Sequence, residues 1–433
     1  MHNINQLKKL RFHHLAVLLL VSVYALITVG CGAIQLVSKA SDGTPGNNSS
    51  YNPAISGDGR FVAFKSRASN LVPNDTYGFN IFVRDRTSRT TECVSVDSNG
   101  NDRGGKQPSI SADGRYVAFV SDSTNLAGGD TNNASDIFVR DRTRQTTEPA
   151  SKDSNGNQGN ADSEWPSISA DGRYVAFESD AANLDGRDMN VASDIFVYDR
   201  ISHITELVSK DSNGNQGNNA SRRPSISASG RYVAFESDAT NLAGSDMNNA
   251  SDIFIHDRIS HITAPVSKDS NGNLGNADSE RPSISADGRY VAFESKASNL
   301  VPNETSGTDV FIHDRISLTT ERISEDSNGN RGGGRHPSIS ADGRYVAFVS
   351  GAVNLAPNCT HAAFDDILVY DRINHTTECI TLDNSGNEGD DESGFPVISA
   401  DGRFVAFYSY AENFVLYTIA HENIFIRDRD YNP

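Results

Sequence analysis

Residues 282–295 read Pro-Ser-Ile-Ser-Ala-Asp-Gly-Arg-Tyr-Val-Ala-Phe-Glu-Ser, and close copies of this stretch recur along the chain. Each copy is followed about two dozen residues later by an apolar run that ends in Asp-Arg or a close variant of it. The turn glycines of the copies lie 55 to 59 residues apart, a spacing typical of a repeat architecture. These glycines are Gly59, Gly114, Gly172, Gly230, Gly288, Gly343 and Gly402.

Each repeat contains four short runs with the composition of β-strands. In the repeat that begins at Pro224, residues 224–227 and 231–235 flank a tight turn; most copies have Asp-Gly there, which supplies the positive φ of a two-residue hairpin. Residues 252–257 are β-branched and aromatic, and a fourth run, of the kind found at 205–209, follows after a short turn. Each repeat is therefore predicted to be a four-stranded antiparallel meander.

Units of this size bury their apolar faces only by stacking on each other, since almost no stretch after residue 30 has helical spacing. Four-stranded sheets stacked radially form a β-propeller. The sequence predicts an all-β, seven-bladed β-propeller over residues 31–433, as a single domain, with repeats that start near residues 53, 108, 166, 224, 282, 337 and 396.

The two ends of the chain predict how the ring closes. The seventh repeat has strand-like runs at 395–399, 403–408 and 423–428 and no fourth run. Residues 35–39 align without gaps to 206–210, which belong to the fourth run of an earlier repeat. An N-terminal strand that completes the last blade removes exposed sheet edges, which otherwise invite aggregation.

The repeat resembles the TolB-like, WD-repeat-like propeller repeat of bacterial envelope proteins. The resemblance rests on residues 282–295, on Asp-Ile-Phe-Val-Arg-Asp at 136–141 and on Leu-Val-Ser at 207–209, and it covers nearly everything after residue 33. It implies the fold and an envelope location. Two positions depart from the family pattern, which usually has an aromatic residue at Ile226 and a proline at Ala228. TolB also has a separate N-terminal α/β domain that this chain lacks, so a role in the Tol machinery does not follow.

Residues 1–30 are predicted to be a secretory signal peptide. Lys8, Lys9 and Arg11 precede an apolar run over 15–29, which is too short and wrongly flanked for a stable membrane span. The run ends in Thr-Val-Gly-Cys31, which resembles the lipobox of bacterial lipoproteins, in which the cysteine is acylated. We therefore expect an exported protein that is lipid-anchored at Cys31; the alternative is a plain signal peptide.

The net charge of −18 agrees with an exported soluble body, and removing residues 1–30 takes away only positive charge. Such a surface repels nucleic acid and anionic lipid headgroups, so we expect no nucleic-acid partner. We expect a monomer in the periplasm or at the cell surface. Because Cys31 lies close to the closing strand, the face with the short turns should lie toward the membrane and the long-loop face away from it.

Three cysteines remain beyond Cys31. Cys93 and Cys379 have a whole blade between them, so a bridge between them is not expected. A bridge between Cys359 and Cys379 stays open, and the spacing of the cysteines predicts no zinc site.

The long loops between the second and third strands are the first candidate site. Their length is not needed to connect neighbouring strands. Oxygen ligands at alternating positions followed by a carboxylate are typical of a calcium loop, whereas an Asn/Asp turn that satisfies its own backbone explains them equally well. The predicted Ca²⁺ ligands are Asp130, Asn132 and Asp136, Asp188, Asn190 and Asp194, and Asp246, Asn248 and Asp252.

The residue before each repeat's proline is the second candidate site. It varies from blade to blade while its neighbours barely change, and it reads Asn52, Gln107, Trp165, Arg223, Arg281, His336 and Phe395 around the predicted channel mouth. Arginines beside aromatic rings suit a carboxylate or another anionic, partly apolar group. The alternative is that the cations pair with nearby acids such as Glu280 and Asp278.

The remaining recurrent residues predict scaffold, because a feature repeated seven times is not an active site. We expect the turn arginines and the Asp-Arg pairs to form ion pairs between blades. The sequence has no Gly-x-Ser-x-Gly elbow, and only His336 holds a channel position, so no catalytic constellation is visible.

The sequence therefore predicts a cell-envelope lipoprotein that binds or scaffolds a protein or polysaccharide on its long-loop face, and not an enzyme. Two alternatives stay open. One is a carbohydrate-active enzyme, a lyase or glycosidase, which needs Arg223, Arg281 and His336 to converge with a carboxylate. The other is a purely structural envelope protein without ligands.

Overall fold

The computed structural model describes residues 34–75, 78–127, 132–186, 190–244, 248–302, 307–357, 359–360, 364–415 and 421–430. These residues form 28 β-strands, in seven four-stranded antiparallel sheets. The prediction of a seven-bladed propeller is confirmed. Within these ranges no helix is long and apolar enough to cross a membrane. Residues 1–30 and Cys31 lie outside the described residues.

Blades 1 to 7 are numbered along the chain, and strands run from the channel outward in each. Blade 1 contains β2 (Ser50–Ile55), β3 (Phe61–Ser66), β4 (Asn80–Asp85) and β5 (Thr90–Cys93). Blade 2 contains β6 (Lys106–Ile110), β7 (Tyr116–Ser121), β8 (Asp136–Asp141) and β9 (Thr146–Pro149). Blade 3 contains β10 (Ser163–Ile168), β11 (Tyr174–Ser179), β12 (Asp194–Asp199) and β13 (Ile204–Leu207). Blade 4 contains β14 (Ser221–Ile226), β15 (Tyr232–Ser237), β16 (Asp252–Asp257) and β17 (Ile262–Pro265).

Blade 5 contains β18 (Ser279–Ile284), β19 (Tyr290–Ser295), β20 (Asp309–Asp314) and β21 (Thr319–Arg322). Blade 6 contains β22 (Arg335–Ile339), β23 (Tyr345–Ser350), β24 (Asp366–Asp371) and β25 (Thr376–Cys379). Blade 7 contains β26 (Ser393–Ile398), β27 (Phe404–Ser409), β28 (Asn423–Asp428) and, as its outermost strand, β1 (Ile34–Leu36).

The closing strand pairs as the sequence predicts. β1 runs antiparallel to β28, with Ile34 opposite Arg427 and Leu36 opposite Phe425. Ile34 and Leu36 are each 4% exposed and pack with blade 7 and blade 6 residues. Ile34 therefore lies at the end of the blade where the short turns are, because β28 ends there.

The core lies between neighbouring blades. The third strands are buried along almost their whole length, as in Asp252–Asp257, because the two neighbouring blades cover one face each. The Val-Ala-Phe segment of the second strand is fully buried, and its phenylalanine stacks on the third strand, as Phe235 does on Phe254 at 6.1 Å between ring centroids. Stacking thus buries apolar faces that a single blade leaves exposed.

The turn between the first two strands differs from the predicted two-residue hairpin. In blade 4 it extends from Ile226 to Tyr232, and Gly230 alone has positive φ, at 72°. A Cβ on Gly230 would lie 2.2 Å from the Cδ2 atom of Tyr174 in blade 3. Glycine is therefore required both by the backbone conformation and by the packing of the neighbouring blade.

The recurrent arginines form two kinds of ion pair, and the prediction that all of them join blades is wrong for one kind. Arg231 binds Asp257 of its own blade through two hydrogen bonds, of 2.9 and 2.7 Å, because both residues lie at the same end of adjacent strands. Arg258 reaches the preceding blade, where it pairs with Glu206 and lies over the ring of Tyr174 at 4.4 Å.

A ring of backbone hydrogen bonds joins all seven innermost strands near the short turns. Each residue of the ring donates its N–H to the carbonyl of the next blade, over 2.9 to 3.1 Å. A proline at Ala228, the residue found in TolB-like repeats, would remove one of these donors. The members are Gly57, Ala112, Ala170, Ala228, Ala286, Ala341 and Ala400.

Candidate binding site at the channel mouth

The residue before each repeat's proline is a β-bulge in the innermost strand. The pairing between the first two strands shifts register there in every blade, for example between Arg222 and Ser225. All seven bulge residues have φ between 48° and 55°, the left-handed region that non-glycine residues rarely adopt, and proline disfavours helical geometry before it. These seven residues, with the prolines after them, line one cavity of about 330 Å³ at the mouth of the channel, which we call the mouth cavity.

The left-handed conformation costs a residue with a Cβ about 1–2 kcal/mol relative to glycine. The chain nevertheless has a side chain at all seven positions. Strain of this kind is found where a side chain must be aimed in a particular direction. The bulges thus direct seven side chains of differing chemistry into one cavity, as the sequence predicts.

The ring of bulge residues has a definite order. Arg223, Arg281 and His336 occupy blades 4, 5 and 6, and aromatic residues flank them in blades 3 and 7. The guanidinium carbon of Arg223 lies 5.7 Å from the ring centroid of Trp165. His336 stacks on Phe395 with 4.4 Å between centroids and 29° between planes. The cavity therefore has cationic and neutral polar nitrogen donors between two aromatic walls.

Three glutamates of the second strands accompany the cations, and the sequence analysis missed them. Glu178 accepts the backbone N–H of Arg223 at 2.9 Å, and Glu236 accepts that of Arg281 at 3.1 Å. Glu294 accepts the N–H of His336 at 2.7 Å. The signal in the sequence is Phe-Glu-Ser in blades 3, 4 and 5 only, where the other blades have Lys65, Val120, Val349 and Tyr408 at the glutamate position.

These glutamates also form ion pairs with the arginines, as the alternative interpretation expects, although mostly not with the acids it names. The Nη1 atom of Arg223 lies 3.1 Å from Glu236, and Arg281 Nε lies 3.2 Å from Glu294. Glu280 is farther from Arg223, at 3.5 Å. Asp278 pairs instead with Lys296, at 3.2 Å.

Three buried nitrogen atoms of the mouth cavity lack a hydrogen-bond partner among the described residues. They are Arg223 Nε, Arg281 Nε and His336 Nδ1. Arg281 Nε is close enough to Glu294 for an ion pair but is not aligned for a hydrogen bond. Buried polar groups in folded proteins are nearly always hydrogen-bonded, so these three atoms are exceptions; each is shielded from solvent and does not itself face the open cavity.

Burial controls the protonation of the site. It raises the pKa of Glu178 to about 7, and the charges of Glu164 and Glu236 add to the effect. Burial, together with the nearby charges of Arg281, Arg335 and Arg223, lowers the pKa of His336 to about 3. His336 is therefore neutral at pH 7 and contributes no positive charge, whereas Glu178 is divided between its two forms and contributes less than a full negative charge.

Of the predicted calcium residues, Asn132, Asn190 and Asn248 lie in the loops that precede the third strands. Asp130, Asp188 and Asp246 lie outside the described residues. Asn248 accepts the N–H of Ala250 at 2.7 Å and donates to Gly275 and to Asp252, at 2.7 and 2.9 Å. Asn132 and Asn190 make the corresponding bonds. Each accepts the N–H of the alanine two residues later and donates to a glycine carbonyl, that of Gly159 and Gly217 respectively.

The carboxylates that follow these asparagines are fully buried in the third strands. Asp136, Asp194 and Asp252 each accept a hydrogen bond, over 2.5 to 2.6 Å, from a serine that lies just after the outermost strand of the same blade. These serines are Ser151, Ser209 and Ser267. This geometry matches turns that satisfy their own backbone. Calcium binding there remains a prediction.

Blade 6 replaces this pattern by a disulfide bond between Cys359 and Cys379, with Cα atoms 5.7 Å apart. The bridge that the sequence leaves open is thus present, and it ties the loop to the outermost strand. Among the described residues, the only group of three His, Cys, Asp or Glu side chains close enough to share a metal ion is this cysteine pair with Asp366. Cys93 is free, and burial raises the pKa of its thiol to about 12.

Comparison with solved structures finds β-propellers. The propeller domain of the trilobed protease from Pyrococcus furiosus is 12% identical, with a TM-score of 0.56 over 88% of this chain and 96% of that one. Oligogalacturonate lyase from Vibrio parahaemolyticus is 11% identical, with a TM-score of 0.54 over 91% and 96%. A putative TolB from Agrobacterium tumefaciens is 16% identical, with a TM-score of 0.41 over 67% and 86%.

No protein-family model matches the sequence, and no curated protein matches it either. At identities this low the first two likenesses establish the fold alone, since propellers host many unrelated activities.

Proposed function

We propose that this chain is an exported, lipid-anchored protein of the bacterial cell envelope that binds a partner at its long-loop face through the mouth cavity. The observation that carries the proposal is the set of seven bulge residues that line one cavity, with Arg223, Arg281 and His336 between Trp165 and Phe395. A protein or a polysaccharide is the partner class that this surface fits.

The chemistry of the cavity favours a carboxylate attached to an apolar or ring-shaped group. Arginine donates forked hydrogen bonds to a carboxylate, and neutral His336 donates or accepts one more. Trp165 and Phe395 offer faces on which a sugar ring or an aromatic side chain packs. Protonation of Glu178 lowers the negative charge that an anionic ligand meets.

Export and anchoring rest on the sequence of residues 1–31, with Cys31 as the acylated residue. The disulfide between Cys359 and Cys379 supports export, because disulfides persist in oxidising compartments such as the periplasm and the cell surface. The closing strand supports the orientation, because Ile34 lies at the short-turn end of blade 7. The mouth cavity then faces away from the membrane.

The binding site has a built-in reporter, since Trp165 is the only tryptophan of the chain. We expect a saturable change of its fluorescence on titration with an oligogalacturonate or with a short peptide that ends in phenylalanine. Arg281→Gln removes a charge-assisted hydrogen bond and should weaken binding about 10- to 100-fold.

Arg222→Gln is the matched control, because Arg222 lies on β14, the equivalent innermost strand of the neighbouring blade, but pairs with Asp238 outside the mouth cavity. It should leave binding unchanged. If neither probe changes the fluorescence of Trp165, or if both variants behave alike, the cavity does not bind carboxylates. That result would favour the alternative of a purely structural envelope protein without ligands.

A second candidate function is a carbohydrate-active enzyme, and the contact of Glu178 with the backbone N–H of Arg223 favours it. This interpretation needs a carboxylate beside Arg223, Arg281 and His336, and Glu178 has a pKa of about 7, which suits a proton carrier at neutral pH. Incubation with oligogalacturonate and chromatography of the products separates the two functions. Products that appear with the parent and vanish with Glu178→Gln would favour the enzyme, whereas an unchanged oligomer favours binding alone.

We also propose, as a separate property, that the long loops of blades 2, 3 and 4 bind Ca²⁺. The support is the pattern of oxygen ligands that includes Asp130, Asp188 and Asp246. Calcium added after EDTA should raise the melting temperature of the full chain saturably, because a ligand that binds only the folded state stabilises it. Changing these three aspartates to alanine should abolish the increase. An unchanged melting temperature identifies the loops as ordinary turns.

A further inference from the structure

The short-turn face has an arc of exposed aliphatic side chains that the channel mouth does not explain. Each member is the second residue after the buried aspartate that ends a third strand, in four consecutive blades. The side chains are 68 to 73% exposed. They are Ile201, Ile259, Ile316 and Ile373, which we call the isoleucine arc.

The fold does not need isoleucine at these positions. The backbone N–H of Ile259 binds Asp257 at 3.0 Å, and blades 1 and 2 form the same bond with Thr87 and Thr143. In blades 5 and 6 the rest of the hairpin differs from that of blade 4, yet the isoleucine remains. Ile204 and Ile262, which begin the adjacent outer strands, are also more than half exposed. The arc thus places exposed apolar side chains at the same turn of four consecutive blades, all on one face of the ring.

The described part of the chain begins on the same face. Ile34, its first residue, pairs with Arg427 at the short-turn end of blade 7, and only Gly32 and Ala33 separate it from Cys31 in the sequence. Contacts between innermost strands run in a closed circle in which blades 7 and 1 are neighbours. Blade 4 therefore lies across the ring from the junction of blades 7 and 1, and the isoleucine arc covers that far side, from blade 3 to blade 6.

The anchored side of this face is cationic. A cavity of about 720 Å³ lies beside β1; its charged lining comprises five cationic residues, Lys39, Arg60, Arg84, Arg86 and Arg89, and two acidic ones, Asp42 and Asp58. Among the described residues, Lys39 and Arg89 form no ion pair, and the neighbouring arginines lower the pKa of Lys39 in addition to burial. Such a cavity is complementary to the phosphates of lipid headgroups, although the chain as a whole is acidic.

We propose that the short-turn face lies on the bilayer, with the isoleucine arc inserted among the lipids on the side of the ring opposite the anchor. This inference rests on the proposed lipid anchor at Cys31. Two contacts on opposite sides of one face hold a ring flat, so the channel axis stands perpendicular to the membrane and the mouth cavity points away from it. The partner at this face is the lipid surface itself.

Tryptophan in place of an isoleucine tests the insertion. The full chain, produced in a bacterium, is reconstituted into vesicles whose acyl chains are brominated, because bromine quenches tryptophan that is within the bilayer. Ile259→Trp should lose fluorescence on vesicle binding. Ala182→Trp, an exposed position of the long-loop face, should not, and neither should Trp165 of the parent. Ile316→Trp is the second variant, in case Ile259→Trp does not fold.

Flotation of the vesicles separates the two hypotheses. If the protein floats and Ile259→Trp and Ile316→Trp keep as much fluorescence as Ala182→Trp, the insertion is wrong, and the lipid anchor is still supported. Protein that does not float, or that floats equally after Cys31→Ala, overturns the anchor and with it this inference. Quenching confined to 259 and 316 supports both.

Discussion

At the residue scale, function is concentrated in side chains that break local preference. Arg223 and its six equivalents occupy left-handed conformations before proline, which any sequence-based rule disfavours. Their variation between blades nevertheless identifies them as the variable set of an otherwise constant repeat. The same reasoning does not identify the glutamates, because Glu178 is separated from Arg223 by 45 residues and contacts it only when two blades stack.

Glu178 should make stability depend on pH. Its pKa rises from 4.5 to about 7 on folding, so the folded protein binds more protons than the unfolded chain between those values. Stability is then lost as pH rises through this window and is level above it. Glu178→Gln keeps an acceptor for the N–H of Arg223 and removes the titration.

The measurement is the melting temperature of parent and variant against pH. The two curves should diverge between about pH 5 and pH 7, with Glu178→Gln gaining relative to the parent as pH rises. Parallel curves would mean that Glu178 is ionised throughout and that the mouth cavity is wetter than its burial indicates.

At the element scale, the hairpin turn joins local conformation to packing between blades. Gly230 has φ of 72°, and its missing Cβ makes room for Tyr174 of the preceding blade. The same pairing of a turn glycine with an aromatic ring recurs in all seven blades, from Gly59 against Phe404 to Gly402 against Tyr345. A local turn signal therefore also determines how blades dock.

Two glycine substitutions separate these effects. Gly230→Ala should cost about 1–2 kcal/mol for the left-handed backbone and about 1–3 kcal/mol more for overpacking against Tyr174. Gly214→Ala has φ of 86° and nothing within 4 Å of the new Cβ, so only the backbone cost applies. Denaturant unfolding of both variants gives the two free energies of unfolding, and equal losses would contradict the packing argument.

The long loops show the limit of a motif at this scale. Asp-x-Asn-x-x-x-Asp is compatible both with a cation site and with a self-bonded turn, and the sequence does not choose between them. The structure places Asp252 in a fully buried strand position with a serine donor at 2.6 Å. Burial of that carboxylate depends on the neighbouring blade, which lies outside any local pattern.

At the scale of the whole molecule, β1 closes the ring and so joins the first described residues to the last blade. Leu36→Asp puts a charge at a position that is 4% exposed, at an expected cost of about 3–5 kcal/mol for a buried charge without a partner. An opened blade 7 also exposes the edge of β28. We expect a lower melting temperature and a shift to higher oligomers in size-exclusion chromatography.

Ile259→Asp is the matched control for this prediction, because Ile259 is 70% exposed. It should leave the melting temperature and the elution volume unchanged. If Leu36→Asp behaves like the control, closure by β1 contributes little to stability, and the contacts between the remaining blades suffice.

The sequence by itself determined the number of blades, the strands of each and the closing strand, because these follow from local patterns repeated at a constant spacing. It also identified the seven bulge residues, since their chemistry varies where the rest of the repeat does not. It did not reveal Glu178, Glu236 and Glu294, the disulfide or the ring of backbone hydrogen bonds. Only the tertiary structure decided these, because each joins groups far apart in sequence, most of them on neighbouring blades, and their distance, burial and charge depend on how the chain folds and the blades stack.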